Sequence, residues 1–384
     1  MAQGLSTVEK YYQDYGCRAR ELRKQGEKFI GYLCALTPLE MITAAGFVPF
    51  RIKGDVEEPI TKADAQMETI VCPLVRSCFD MALKGKYDFL DGIVIPHACD
   101  SITRSYSTMR HTLGLPYSHF INIPHTVKDA SLKFFEAELN TFRRSFGRFA
   151  GKEISDERLV QAIELHNENR AKVRELYEFR KLDPPMVSGV EITKTLVAAM
   201  SLPVQESIAL LSGVVNEIKQ RRRNAPSQKR PRIMVVGAQV DDIAFIKLIE
   251  DSGADVVADS VCTGSRDFFP DVDETQEPLG GIADHYLRKL NCPRTYRGSA
   301  GKTYQDDLKA RFGDISSYVR DFKVDGVVLY VLKYCDPFGF EVPARKEYIE
   351  SLNTPVLYLE DEYSMASIGR FRTRIQAFLE MIAK

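Results

Sequence analysis

The chain reads as an α/β protein built from two similar Rossmann- or flavodoxin-like parallel-sheet domains. A helical segment precedes them and a helical insertion separates them. Three observations lead there. Short β-branched runs alternate with helical patterns in both halves of the sequence, the mark of a parallel sheet. The stretch between them, 128–222, has helical periodicity and few strand signals. And one pattern occurs twice: "DGIVIPHACD" (91–100) is answered by "DGVVLYVLKYCD" (325–336). Each opens Asp-Gly, runs through apolar residues and ends Cys-Asp.

In chain order, the first 28 residues predict one helix, with Ser6 and Glu9 at capping-box spacing. A strand over 28–34 follows, then a helix over 38–46 with a second box at Thr37 and Glu40, then a strand over 47–52. A short apolar run ends at Cys72; Pro73 opens a helix that Gly85 closes, and a strand over 92–96 leads to Cys99. "SITRSYSTMRHTLG" predicts a helix and "YSHFINIP" a strand. The helical insertion ends in "KQRRRNAPSQKRPR" (219–232), whose seven basic residues read as a solvated linker. The second unit opens with strand, helix and strand from "PRIMVVG" to "DVVADSVCTG". It continues through "VDGVVLYVLKYCD", a helix over 343–352, "TPVLYLEDE" and a helix over 368–382. The expected segments are 1–28, 29–127, 128–228 and 229–384.

With 384 residues the chain is longer than one core usually serves. A formal charge of −1 gives no overall pull toward nucleic acid or an anionic membrane. No apolar run reaches membrane-span length, and "MAQGLSTVEKYY" lacks the apolar core of a secretion signal, so the expected location is the cytoplasm.

Eight cysteines in such a chain do not suggest a disulfide framework, and no C-x-x-C pair occurs. A metal site must therefore be assembled from distant segments. Ligands of open parallel sheets bind beyond the carboxyl ends of strands, where Cys99 and Cys335 fall. Cys72 stands directly before a proline-started helix, where amides and dipole favour thiolate. Convergence of all three suits a [4Fe-4S] cube with one open iron, a Lewis acid as well as an electron carrier. Cys17, Cys34 and Cys292 read as small buried hydrophobes, with Cys78 and Cys262 intermediate. "RGSAGKTYQDDL" (297–308) imitates a phosphate-binding loop, but Tyr296 replaces its first glycine and no strand precedes it; it reads as a helix-start turn.

These residues resemble the 2-hydroxyacyl-CoA dehydratase and ATP-dependent benzoyl-CoA reductase family. The likeness is carried by "TPLEMITAAGFVPFRI", "CPLVRSCFDMALKGKYDFLDGIVIPHACD", "GADVVADSVCTGSRDF", "DGVVLYVLKYCDPFGFEVP" and "TRIQAFLEM". The family's C-x-x-x-R, C-D and K-[FY]-C-D motifs fall on Cys72 with Arg76, Cys99 with Asp100, and Cys335 with Lys333 and Asp336. The resemblance implies a [4Fe-4S] cluster on that trio, a paralogous catalytic subunit, and an ATP-hydrolysing activator fed by reduced ferredoxin. It also implies an aromatic acyl-CoA substrate, with the smaller catalytic chain of benzoyl-CoA reductase the nearest likeness. A 2-hydroxyacyl-CoA dehydratase subunit and a homodimeric reductase with a linked double cluster are the alternatives. Glu40 becomes a candidate for proton handling, provided burial raises its pKa. His97 is a further hydrogen-bond or proton donor, with a satisfied imidazole as the plainer reading. The aromatic loops 266–271 and 336–341 could wall a dry pocket, or serve ordinary core packing.

Overall fold

The computed structural model describes residues 4–221, 229–274, 277–301 and 303–383. The first α/β unit holds β1 (Phe29–Tyr32), α3 (Leu39–Ala44), β2 (Val48–Arg51), α4 (Pro73–Leu83), β3 (Gly92–Pro96), α5 (Asp100–Leu113) and β4 (Tyr117–Ile121), after α1 (Gly4–Gln13) and α2 (Cys17–Lys24). Four helices follow: α6 (Asp129–Ala150), α7 (Asp156–Lys181), α8 (Gly189–Ala199) and α9 (Val204–Lys219). The second unit runs β5 (Arg232–Gly237), α10 (Ile243–Asp251), β6 (Asp255–Ser260), α11 (Ser265–Phe268), α12 (Pro278–Asp284), a π-helical turn His285–Lys289, α13 (Tyr304–Asp321), β7 (Gly326–Leu332), α14 (Asp336–Ser351), β8 (Val356–Asp361) and α15 (Ile368–Ile382).

Both sheets are parallel throughout and have one topology: β2-β1-β3-β4 and β6-β5-β7-β8. The order reverses between β1 and β3, and again between β5 and β7, the crevice where such sheets take ligands. The central strands are buried on both faces, hence their unbroken apolar runs.

The repeated Asp-Gly has a physical reason. Asp91 Oδ2 accepts from the Phe29 amide at 2.8 Å and Asp325 Oδ2 from the Arg232 amide at 2.8 Å. Each carboxylate thus pins the first residue of its neighbouring central strand. Each aspartate's own amide returns a bond to the same residue's carbonyl, also at 2.8 Å. A Cβ on Gly92 would sit 2.6 Å from the Tyr117 carbonyl, so that position must be glycine.

The halves do not have separate cores. One apolar cluster joins Phe29, Phe50, Ile93 and Ile95 to Ile233, Val235, Val328 and Leu332. A second places Val272, Ile282 and Tyr286, from the β6–β7 crossover, against the first sheet. Helix α7 packs on α9, α3, α11, α12 and β6, while α1 packs on α8 and α9. We keep the four sequence segments as a proposal for the chain's organisation, with the first and third sharing one helical layer.

Several boundaries differ from expectation. The N-terminal helix is two, broken where Gly16 takes φ 83°, and Ser6 lies inside α1 instead of capping it. No strand precedes Cys72. The N-cap of α3 is Pro38, without a side-chain cap, so the Thr37–Glu40 box does not form. Helix α14 starts at Asp336, seven residues before the expected 343, and runs through Pro343, a residue that reads in sequence as a helix opener. Residues 222–228 of the basic run lie outside the described residues.

Candidate metal centre

The carboxyl ends of the two sheets look onto one cavity of about 80 Å³. Cys99 lies three residues beyond β3 and Cys335 three beyond β7. Cys72 comes from the loop before α4, and all three line the cavity. Each is the N-cap of a helix: α4, α5 and α14 respectively for Cys72, Cys99 and Cys335. The amides of Leu74 and Val75 face the Cys72 sulfur, that of Ile102 faces Cys99 and that of Phe338 faces Cys335. They draw the thiol pKa values down without closing a capping hydrogen bond.

The segments carrying these sulfurs are fixed locally. Ser101 Oγ accepts from the Cys72 amide at 3.1 Å, which ties the start of α5 to the Cys72 loop. Arg76 donates to the Val71 carbonyl at 3.1 Å and to Asp64, clamping the same loop. Tyr334 adopts φ 61°, a left-handed conformation costing about 1–2 kcal/mol for a side-chain-bearing residue, immediately before Cys335. Lys333 donates to Glu362 at 2.8 Å and its amide to the Asp361 carbonyl at 2.7 Å.

Burial pushes the Cys72 thiol up to about 11, and pushes Cys99 and Cys335 well above the ordinary value; the charges of Cys335 and Cys72 raise Cys99 further. Such thiols ionise when a cation draws the proton off. Among the described residues no three His, Cys, Asp or Glu side chains stand together around a single metal ion. An iron–sulfur cube asks for something different: one thiolate per iron, with sulfurs roughly 7 Å apart. Three cysteines from separate segments on one cavity fit that donor set.

The cavity holds more sulfur than the sequence reading assigned to it. Cys34, Cys262 and Cys292 line it as well, and Cys78 with them. Cys34 belongs to an apolar core cluster and Cys292 packs against it, as expected of small buried hydrophobes, and both also reach the cavity wall. Burial raises Cys34 to about 12, with Cys262 and Cys292 adding to the rise. Arg266 Nη1 lies 3.3 Å from Cys262 Sγ and donates to it. Cys78 S–H points at the Ile52 carbonyl, 3.8 Å away. A signal was present: Cys34 follows β1 by two residues and Cys262 follows β6 by two, both strand-end positions like those of Cys99 and Cys335. Cys292 lies in the irregular β6–β7 crossover, where no strand pattern marks it. Cys17, on α2, is not among the lining residues.

Glu40 does not line this cavity. It is fully buried, ion-paired with Arg170, and accepts from Tyr286 Oη at 2.8 Å. Burial works to raise its pKa, but Arg170, with His166 and His285, outweighs burial and holds the carboxyl down at about 2. The condition for proton handling at neutral pH is therefore reversed. His97 bonds Asn122 at 3.1 Å and His125 at 3.4 Å, an imidazole satisfied by protein partners. Of the aromatic loops, Phe338 lines the cysteine cavity, Phe268 a second one of about 40 Å³, and Phe340 is 87% exposed. Lys302 lies outside the described residues; Thr303 beside it caps α13 in a capping box with Asp306, as a helix-start turn requires. No helix among the described residues is long and apolar enough to cross a membrane.

Against known proteins, the family model described as 2-hydroxyglutaryl-CoA dehydratase, D-component, matches residues 34–382. The provisionally named dehydratase subunit YjiM of Escherichia coli (strain K12) is 29% identical over 94% of this chain and 93% of its own. The (R)-phenyllactyl-CoA dehydratase beta subunit of Clostridium sporogenes is 24% identical over 98% and 100%. A benzoyl-CoA reductase subunit of Thauera aromatica is 25% identical over 98% and 97%.

Proposed function

Because the chain belongs to the 2-hydroxyglutaryl-CoA dehydratase D-component family, we propose that it is an iron–sulfur catalytic subunit of a low-potential, ATP-dependent enzyme acting on an acyl-CoA. The observation that carries this is the convergence of Cys72, Cys99 and Cys335, from two sheets and three helix starts, on one cavity. In this reading those three residues hold a [4Fe-4S] cluster, which when bound supplies low-potential electrons. Leu33, Val75, Ala98, Leu332 and Phe338 surround the sulfurs with apolar side chains. Glu40 acts through its ion pair with Arg170, anchoring the start of α3.

For substrate we propose benzoyl-CoA, reduced to a cyclohexadiene-carbonyl-CoA, with a 2-hydroxyacyl-CoA losing water as the alternative. Relatives named for both reactions match at similar identity. The relatives are named as subunits, which supports a paralogous catalytic partner; the activator and reduced ferredoxin complete the proposal. The test is anaerobic turnover of benzoyl-CoA and of a 2-hydroxyacyl-CoA with the partner chain, activator, ATP and reduced ferredoxin. Turnover of neither by an iron-loaded complex rejects the acyl-CoA assignment.

A second reading has its own observation. Cys34, Cys262 and Cys292 line the same cavity, which supports a homodimeric reductase with a linked double cluster as the alternative. It accounts for more of the cavity's sulfur than a single cube does. Iron and sulfide per chain separate the two: one cube's worth supports the first, twice that the second.

A further inference from the structure

The cysteine cavity carries positive charge that its own lining does not balance. Arg51, at the end of β2, is 2% exposed. Its Nη2 donates to Gln239 Oε1 at 2.6 Å, and its guanidinium carbon lies 5.2 Å from the centre of the Tyr32 ring. Its Nε and Nη1 have no hydrogen-bond partner among the described residues. Arg294, 8% exposed, donates Nη1 and Nη2 to the carbonyls of Pro124 and Ile123, at 2.6 and 2.9 Å, and its Nε is likewise without a partner. Both arginines line the cavity, and among the described residues no aspartate or glutamate does. Asp267 acts on Arg51 through space, but it lines the other cavity and makes no hydrogen bond to Arg51.

A buried donor left without an acceptor costs about 1–3 kcal/mol, and more when it is charged. Two such guanidiniums on one cavity point to an anionic occupant with acceptor atoms. A thiolate-ligated iron–sulfur group is one: a net anion whose sulfurs accept hydrogen bonds. Guanidinium-to-sulfur donation already occurs there, from Arg266 to Cys262.

We propose that Arg51 and Arg294 are positioning residues for the iron–sulfur group, supplying its counter-charge and hydrogen-bond donors and so raising its reduction potential. The inference rests on the iron–sulfur reading above. Its physics is that each added electron makes the group more negative. A cation in a poorly solvated cavity favours that reduced state far more than it would in water. Neither arginine touches reacting atoms in this account; both act through the group they neutralise.

The experiment compares full-length wild type, Arg51→Met, Arg51→Lys and Arg294→Met, each reconstituted anaerobically with iron and sulfide. Iron content is measured first, then the midpoint potential by dithionite titration followed by electron paramagnetic resonance. Arg51→Met and Arg294→Met should have midpoints more negative than wild type at equal iron content. Arg51→Lys, which keeps the charge and loses the fork, should fall between. If Arg51→Met takes up less iron, the Lys variant and Arg294→Met carry the comparison. Midpoints equal to wild type in iron-replete variants overturn the inference and leave the iron–sulfur reading standing. A wild type that takes up no iron overturns that reading and the inference with it.

Discussion

Replacing Glu40 by Gln keeps the side chain's size and removes its charge, leaving the buried Arg170 guanidinium without its carboxylate. Two routes give the cost. Breaking a buried pair by removing one partner is worth about 3–5 kcal/mol. The carboxyl is lowered from 4.5 to about 2, and at about 1.4 kcal/mol per unit that difference is worth about 3 kcal/mol. A depressed carboxylate stabilises the fold above its unfolded pKa, near 4.5, and loses that contribution as pH falls through about 2. The groups facing Glu40 are Arg170, Tyr286, His166, His285 and, through space, Asp267. Burial holds His166 down at about 4 and His285 at about 3, so both also oppose folding when acid charges them. The informative quantity is therefore the wild-type minus Glu40→Gln difference, from urea unfolding at pH 7, 5, 4 and 3. It should be about 3 kcal/mol at pH 7 and shrink steadily below pH 4.5. Equal stability at pH 7, or a difference that does not change with pH, would refute the ion-pair account.

Further outcomes follow from the same geometry. Asp91→Ala and Asp325→Ala should each lower stability by about 1–3 kcal/mol in thermal unfolding, and by similar amounts, since each leaves the first amide of a central strand unclamped. Gly237→Ala should melt lower by a cost of about 1–3 kcal/mol or more, because its Cβ would lie 2.2 Å from the Tyr330 carbonyl oxygen. Prolonged aeration of iron-loaded protein should bleach it and increase proteolysis near residues 72, 99 and 335, where three separated segments lose a common tie. Cys72→Ser, Cys99→Ser and Cys335→Ser should each strip iron, whereas Cys17→Ser, on α2, should leave iron content unchanged.

Where the sequence described the fold well, one physical cause dominated each element. Central strands buried on both faces have to be apolar without interruption, so "GIVIP" and "GVVLYVL" were legible as strands. The Asp-Gly before each was legible as a repeat but not as a clamp, because its partners, Phe29 and Arg232, are distant in sequence. Boundaries failed where two causes competed. Pro343 carries a helix-opening signal, yet the helix start is set at Asp336, directly after Cys335 and with Pro337 in its first turn. Thr37 and Glu40 have capping spacing, yet Glu40 gains more from Arg170 and Tyr286, which come from helical segments far along the chain.

The cavity's sulfur divides along the same line. Cys72, Cys99 and Cys335 each stand one residue before a helix and end a recognisable run, so local pattern and family motif agree on them. Cys34 and Cys262 have the strand-end position without the Cys-Asp signature, and their neighbours "LCALTP" and "VCTGSR" open no immediate long helix. Position alone could not distinguish them from small core residues. Only the assembled fold shows that the end of β1 and the end of β6 meet at one cavity. Arg51 and Arg294 were further out of reach. What marks them is three buried donor nitrogens without partners and, among the described residues, a lining without carboxylates, properties of the assembled cavity that no segment carries by itself.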